Sequence, residues 1–160
     1  MLARPCPECG FVADDLPREQ IGARLLEAAD ALVASLSRDD ATVRPSPGVW
    51  SPSEYGCHVR DVCRVFAGRL HLMLTEDDPA FPNWDQDATA LEGEYDRADP
   101  EVVARQLLAE ARTLAGAWDT VPTEAWDRRG FRSDGSVFTV LSLGRYLTHD
   151  LVHHVHDITP

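Results

Sequence analysis

Four stretches of the chain repeat apolar residues at the 3.6-residue spacing of an amphipathic helix. The first runs from about Pro17 to Ser37, with Ile21, Leu25, Leu26, Ala29, Leu32, Val33 and Leu36 along one face. Pro17 suits its first turn, where a missing N–H costs nothing. The second opens on Ser51-Pro52-Ser53-Glu54, a capping box with proline at the first helical position. Tyr55, Val59, Val62, Phe66, Leu70 and Met73 form its stripe, and Asp77-Asp78-Pro79 ends it. Residues 77–98 are rich in Pro and Asp and read as loop. The third stretch opens at Asp99-Pro100-Glu101 and carries Val103, Leu107, Leu108, Ala111, Leu114, Ala115 and Trp118. The fourth runs from about Ser136 to Ile158, after the turn signal Ser133-Asp134-Gly135. β-branched alternation is nowhere sustained, so the pattern predicts an all-α fold, a four-helix bundle over residues 16–160. Residues 1–15 stand apart as an N-terminal arm.

The length, 160 residues, fits one domain, and 44% hydrophobic residues suffice for a core. No apolar run approaches the roughly 18 residues of a membrane helix, and the N-terminus lacks a signal-peptide stretch. A cytoplasmic protein without membrane contact is expected. Fifteen basic against 27 acidic residues leave a net charge of −12, and every basic residue is Arg. Such a chain repels phosphate backbones, which argues against a nucleic-acid partner. The densest basic cluster, Arg128, Arg129 and Arg132, reads as a solvated loop. The absence of Lys excludes Schiff-base and P-loop chemistry.

Chemistry concentrates in the last stretch. Four of the six histidines fall between His149 and His156. Spacing by four stacks His149 on His153 and Asp150 on His154. At about 100° per residue, His154 lies within roughly 40° and Asp150 within roughly 80° of the centre of the stripe formed by Val140, Leu147, Leu151 and Ile158. His149 and His153 fall roughly 140–170° away, on the polar side. His58 shares the inward stripe of the second helix. His58, Asp150 and His154 thus have the donor types of a 2-His-1-carboxylate divalent-metal site. A hydrogen-bonded His–Asp–His cluster without metal accounts for the same residues equally well. Asp61, one turn after His58, is the candidate catalytic residue, placed to orient the His58 ring.

Trp50-Ser51-Pro52-Ser53-Glu54, with His58 eight residues after the Trp, resembles the second-helix signature of the DinB-like superfamily. The closing run from Asp150 to Ile158 resembles that family's last-helix motif, His-x-x-His-His-x-x-Gln-Ile, whose metal ligands fall here on Asp150 and His154. Asp at 150 departs from the family's His and is similar to the Glu of the related mycothiol-dependent maleylpyruvate isomerases. Trp126-Asp127-Arg128-Arg129 is similar as well. The resemblance implies an antiparallel four-helix bundle with one divalent metal near one end. It also implies chemistry of the thiol S-transferase or isomerase kind, with a low-molecular-weight thiol such as mycothiol.

Four cysteines remain. Cys57 and Cys63 read as packing residues, with Cys57 on the outward face of its helix. Cys6-Pro7-Glu8-Cys9-Gly10 has the form of half a zinc knuckle. Zinc takes four N or S ligands in structural sites, and His149 and His153 are the nearest unassigned pair. Cys6, Cys9, His149 and His153 are therefore the candidate ligands of a second, structural zinc. A CxxC tail without metal, or with a redox role, is the alternative. No Ser or Cys lies in a nucleophile motif.

The leading functional reading is a metal-dependent transferase or hydrolase acting on a small electrophile with a low-molecular-weight thiol. The competing reading is a non-catalytic metal-binding or regulatory bundle. The expected cofactor is a divalent metal, zinc first, with nickel, iron or manganese as alternatives. The expected partners are a small-molecule substrate and a second copy of the chain as a homodimer.

Overall fold

A computed structural model describes residues 4–159; the first three residues of the expected arm lie outside them. The order is α1 (Ile21–Ser35), α2 (Pro52–Thr75), β1 (Ala80–Phe81), α3 (Gln86–Glu92), α4 (Pro100–Asp119), β2 (Arg129–Arg132), β3 (Val137–Thr139) and α5 (Val140–Asp157). Short 3₁₀ turns fill several connections. α4 packs against both α1 and α2, and α5 against α1 and α2. Ile21, Leu25, Leu32, Val62, Leu70, Leu107, Leu114, Trp118, Leu143, Leu147 and Leu151 interlock in the main core.

The helix starts follow from local chemistry. The Ser51 hydroxyl accepts from the Glu54 N–H while the Glu54 carboxylate accepts from the Ser51 N–H, and Pro52 occupies the first turn. Asp99 caps α4 ahead of Pro100. Thr139 and Ser142 exchange the same reciprocal bonds at the start of α5. The first α-helix begins at Ile21, later than Pro17, because residues 18–20 form a 3₁₀ turn.

The all-α expectation needs correcting. A three-stranded mixed sheet packs against α2 and α5, with β1 parallel to β2 and β2 antiparallel to β3. Its strands hold two to four residues, too few for an alternation to register. Phe81 and Phe138 are buried beneath it. Gly130 suits this close approach, since a Cβ there would stand 2.7 Å from the Phe81 ring and 2.8 Å from the Met73 side chain and would force them to shift. The stretch expected as loop, 77–98, instead carries β1, α3 and a 3₁₀ turn.

Arg128, expected in a solvated loop, closes α2. Its guanidinium donates to the carbonyls of Met73 and Glu76, both at 2.6 Å. These belong to the last turn, whose carbonyls lack helical partners and where the helix dipole favours a cation. Cys57 does not face outward. It is fully buried with Leu36, Tyr95 and Val103, because α4 and the 77–98 connector cover that side of α2.

Candidate metal centre

α2 and α5 bring His58, Asp150 and His154 together. One ligand atom from each lies within 4.8 Å of the others. The His58 and His154 rings meet edge to face with centroids 4.8 Å apart, and His154 Nε2 lies 3.9 Å from Asp150 Oδ2. His154 Nδ1–H donates to Asp157 Oδ2 at 2.9 Å, which turns Nε2 toward the cluster.

His58 is 1% exposed, and neither ring nitrogen has a hydrogen-bond partner among the described residues. A buried polar atom left unpaired costs about 1–3 kcal/mol. The ring packs flat on Trp84, at 5.4 Å and 7°, and against Trp50 at 5.3 Å. Burial and the neighbouring His154 hold its pKa down at about 3. The ring is therefore a neutral imidazole, the form that binds metals. Burial pushes the Asp150 carboxyl above the ordinary range, the cost a bound cation offsets. An orphaned imidazole facing a carboxylate and a second imidazole fits a divalent metal.

Asp61 does not orient His58. Its carboxylate accepts from Arg60, from Arg64 and from Tyr95, the last at 2.6 Å. Burial pushes its pKa up, but the Arg60 and Tyr95 bonds outweigh this and hold it below the usual range. The carboxylate that positions a site histidine is Asp157.

A cleft of about 260 Å³ opens beside His58 and Asp150, with Arg69, Asn83, Trp84, Arg132, Asp134 and Tyr146 on its walls. Arg69 is buried, wedged between the rings of Phe66 and Phe81 at 5.0 and 5.1 Å. Its one hydrogen bond goes to the Pro82 carbonyl at 3.1 Å, and no carboxylate pairs with it among the described residues. Burial and the nearby Arg132 pull its pKa down from the ordinary value. Arg132 itself is neutralised by Asp134 at 2.7 Å. Sequence reasoning missed Arg69, although it follows His58 by eleven residues, about three helical turns. Trp84 and Asn83 carried no such signal, because the connector that places them read as loop.

Cys6, Cys9, His149 and His153 form a second group, with ligand atoms likewise within 4.8 Å of one another. The N-terminal arm lies over the polar side of α5, so neither His of this pair is exposed. Backbone N–H groups of Cys9 and Glu8 pull the Cys6 thiol down to about 6. Cys57 and Cys63 are the reverse case, pushed by burial up to about 11 and about 12.

Among the described residues, five α-helices, a small sheet, and a His–Asp–His cluster bridging α2 and α5 define the class, a helical bundle with a candidate metal centre between helices. The chain belongs to the DinB superfamily, whose profile matches residues 22–158. Its fold is similar to that of YfiT from Bacillus subtilis, described as a probable metal-dependent hydrolase with an unusual four-helix bundle topology. The two are 22% identical with a TM-score of 0.77 over 88% of this chain and 83% of that one. It is also similar to the mycothiol-dependent maleylpyruvate isomerase, at 17% identity and a TM-score of 0.70 over 91% of this chain. The chain spans only 62% of that isomerase's length. No curated protein sequence matches. Among the described residues, no helix is long and apolar enough to cross a membrane.

Proposed function

We propose that the protein is a metal-dependent enzyme that transfers a low-molecular-weight thiol, or water, to a small electrophilic substrate bearing an anionic group. The observation that carries this reading is His58, buried with both nitrogens unpartnered, beside Asp150 and His154 at the wall of a cleft. His58, Asp150 and His154 would hold the ion, and Asp157 fixes the His154 ring. A divalent metal there supplies Lewis-acid chemistry and lowers the pKa of a bound thiol or water toward neutrality. Trp84 and Trp50 keep bulk water from the His58 ring. Arg69, without a carboxylate of its own, supplies the positive charge that receives a substrate carboxylate. Cys57 and Cys63 are buried and protonated, and no Ser or Cys is among the residues lining the cleft, so in this reading the nucleophile comes from outside the chain.

The test starts with metal analysis of the purified protein. Turnover of carboxylated and uncarboxylated small electrophiles is then followed with mycothiol, with cysteine and without thiol, before and after chelation. Metal-dependent turnover that prefers the carboxylated acceptor, with the preference lost in Arg69→Met, supports the reading. Turnover that survives complete chelation overturns it. Bound metal at His58 without turnover of any acceptor favours the non-catalytic binding module.

A further inference from the structure

We infer that Cys6, Cys9, His149 and His153 form a structural zinc site that clasps the N-terminal arm to α5. The arm is shaped for the role. The Cys6 N–H donates to the Phe11 carbonyl at 3.0 Å, and the Gly10 N–H donates to the Cys6 carbonyl at 2.9 Å. Gly10 sits at φ +72°, a left-handed conformation that favours glycine and lets this turn close. The turn presents both sulfurs to the same side of α5.

The helix side is equally specific. His149 and His153 are one turn apart. His149 Nε2 is buried with no hydrogen-bond partner among the described residues. The Phe11 ring lies parallel to the His149 ring at 6.1 Å and 3°. His153 is oriented from both ends, with Nε2 at 3.0 Å from Glu8 Oε2 and Nδ1 at 3.6 Å from Cys6 Sγ. A carboxylate on the far nitrogen is the usual means of aiming a metal-binding imidazole, and here it comes from Glu8, one of the two residues between the cysteines.

The spacing suits zinc. Bonds of about 2.3 Å to sulfur and about 2.0–2.1 Å to nitrogen, at a tetrahedral angle, put S and N about 3.6 Å apart. The Cys6–His153 edge already has that length. Two thiolates and two imidazoles complete a four-coordinate shell, which marks a structural site. Binding there organises a segment whose apolar anchors are few, mainly Phe11, Ala13 and Leu16. This inference does not depend on the reading of the His58 site, because no residue is shared.

Zinc per chain is measured, under reducing conditions, in the wild type, in Cys6→Ser with Cys9→Ser, and in His58→Ala. Cobalt-substituted samples report thiolate ligation through a sulfur-to-cobalt charge-transfer band. The expected result is two metals in the wild type and one in each variant, with the band present in the wild type and His58→Ala and absent from the double serine variant. Its thermal stability should fall with zinc present and match the wild type in chelator. If the His58 reading alone fails, wild type and His58→Ala each hold one metal with the band, and the double serine variant holds none. Unchanged metal content in the double serine variant, or no charge-transfer band in the wild type, overturns the clasp. The wild-type band decides the matter even if the serine variant folds poorly.

Discussion

Replacing His58 by Leu separates the cost of the site from its use. In metal-free protein the imidazole holds two buried nitrogens without partners. At about 1–3 kcal/mol each, leucine relieves ~4 kcal/mol. Against this stand the lost stacking on Trp84, about 0.5–1.5 kcal/mol, and an imperfect fit of up to about 1.5 kcal/mol. The balance is a gain of ~2 kcal/mol for the metal-free variant, worth roughly 4–8 °C in melting temperature at this chain length. With metal added the order reverses. Ligand at a hundred times its Kd stabilises the wild type by about 2.7 kcal/mol through the site that His58→Leu lacks. Thermal unfolding followed by circular dichroism, in chelator and in excess zinc, measures both. Carrying Cys6→Ser and Cys9→Ser in both proteins removes any contribution from the arm. A variant that melts well below the wild type in chelator would refute the reasoning, because His58 would then be a satisfied core residue.

Three further outcomes are expected. His58 is held at about 3 in the folded metal-free protein, against about 6.5 when unfolded. The unfolded chain therefore binds more protons between these values, and stability falls as pH drops from about 6.5 toward 3; denaturant titrations in chelator should show this slope in the wild type and lose it in His58→Leu. Arg128→Ala frees the carbonyls of Met73 and Glu76 and should lower stability by about 1–2 kcal/mol, read from urea unfolding. Gly130→Ala places a methyl within 3 Å of Phe81 and Met73 and should cost about 1–3 kcal/mol in the same assay, whereas Gly68→Ala, with open space around it, should be tolerated.

The long helices were legible because each carries its own start signal and one apolar face. Ser51 with Glu54, and Asp99 with Pro100, mark two starts within a residue of where they occur. The inward grouping of Asp150 and His154 was legible for the same reason, since a helical wheel needs only spacing. The wheel failed at Cys57 because it assumes a single buried face, and α2 is covered on a second side by Tyr95 and Val103. It failed at Asp61 because proximity in sequence says nothing of competition, and Arg60, Arg64 and Tyr95 claim that carboxylate. The sheet was invisible because strands this short gain their definition from Phe81 and Phe138 packing beneath them. Arg69 was not legible because its burial depends on Phe81 and the Pro82 carbonyl, which the connector brings over α2.

Trp84 and Asn83 reach the cleft from a connector, while every candidate ligand of the central site sits on α2 or α5. The candidate ligands are thus confined to the helices, whereas the cleft wall draws on both the helices and the connector. Within that connector Phe81 is buried and Pro82 accepts from Arg69, so the positions open to change are Asn83 and Trp84, which lie outside both helices. Substitution at Asn83 would alter the cleft wall while leaving His58, Asp150 and His154 on their helices. The two helices therefore fix the cluster, and the crossing over His58 shapes the opening above it.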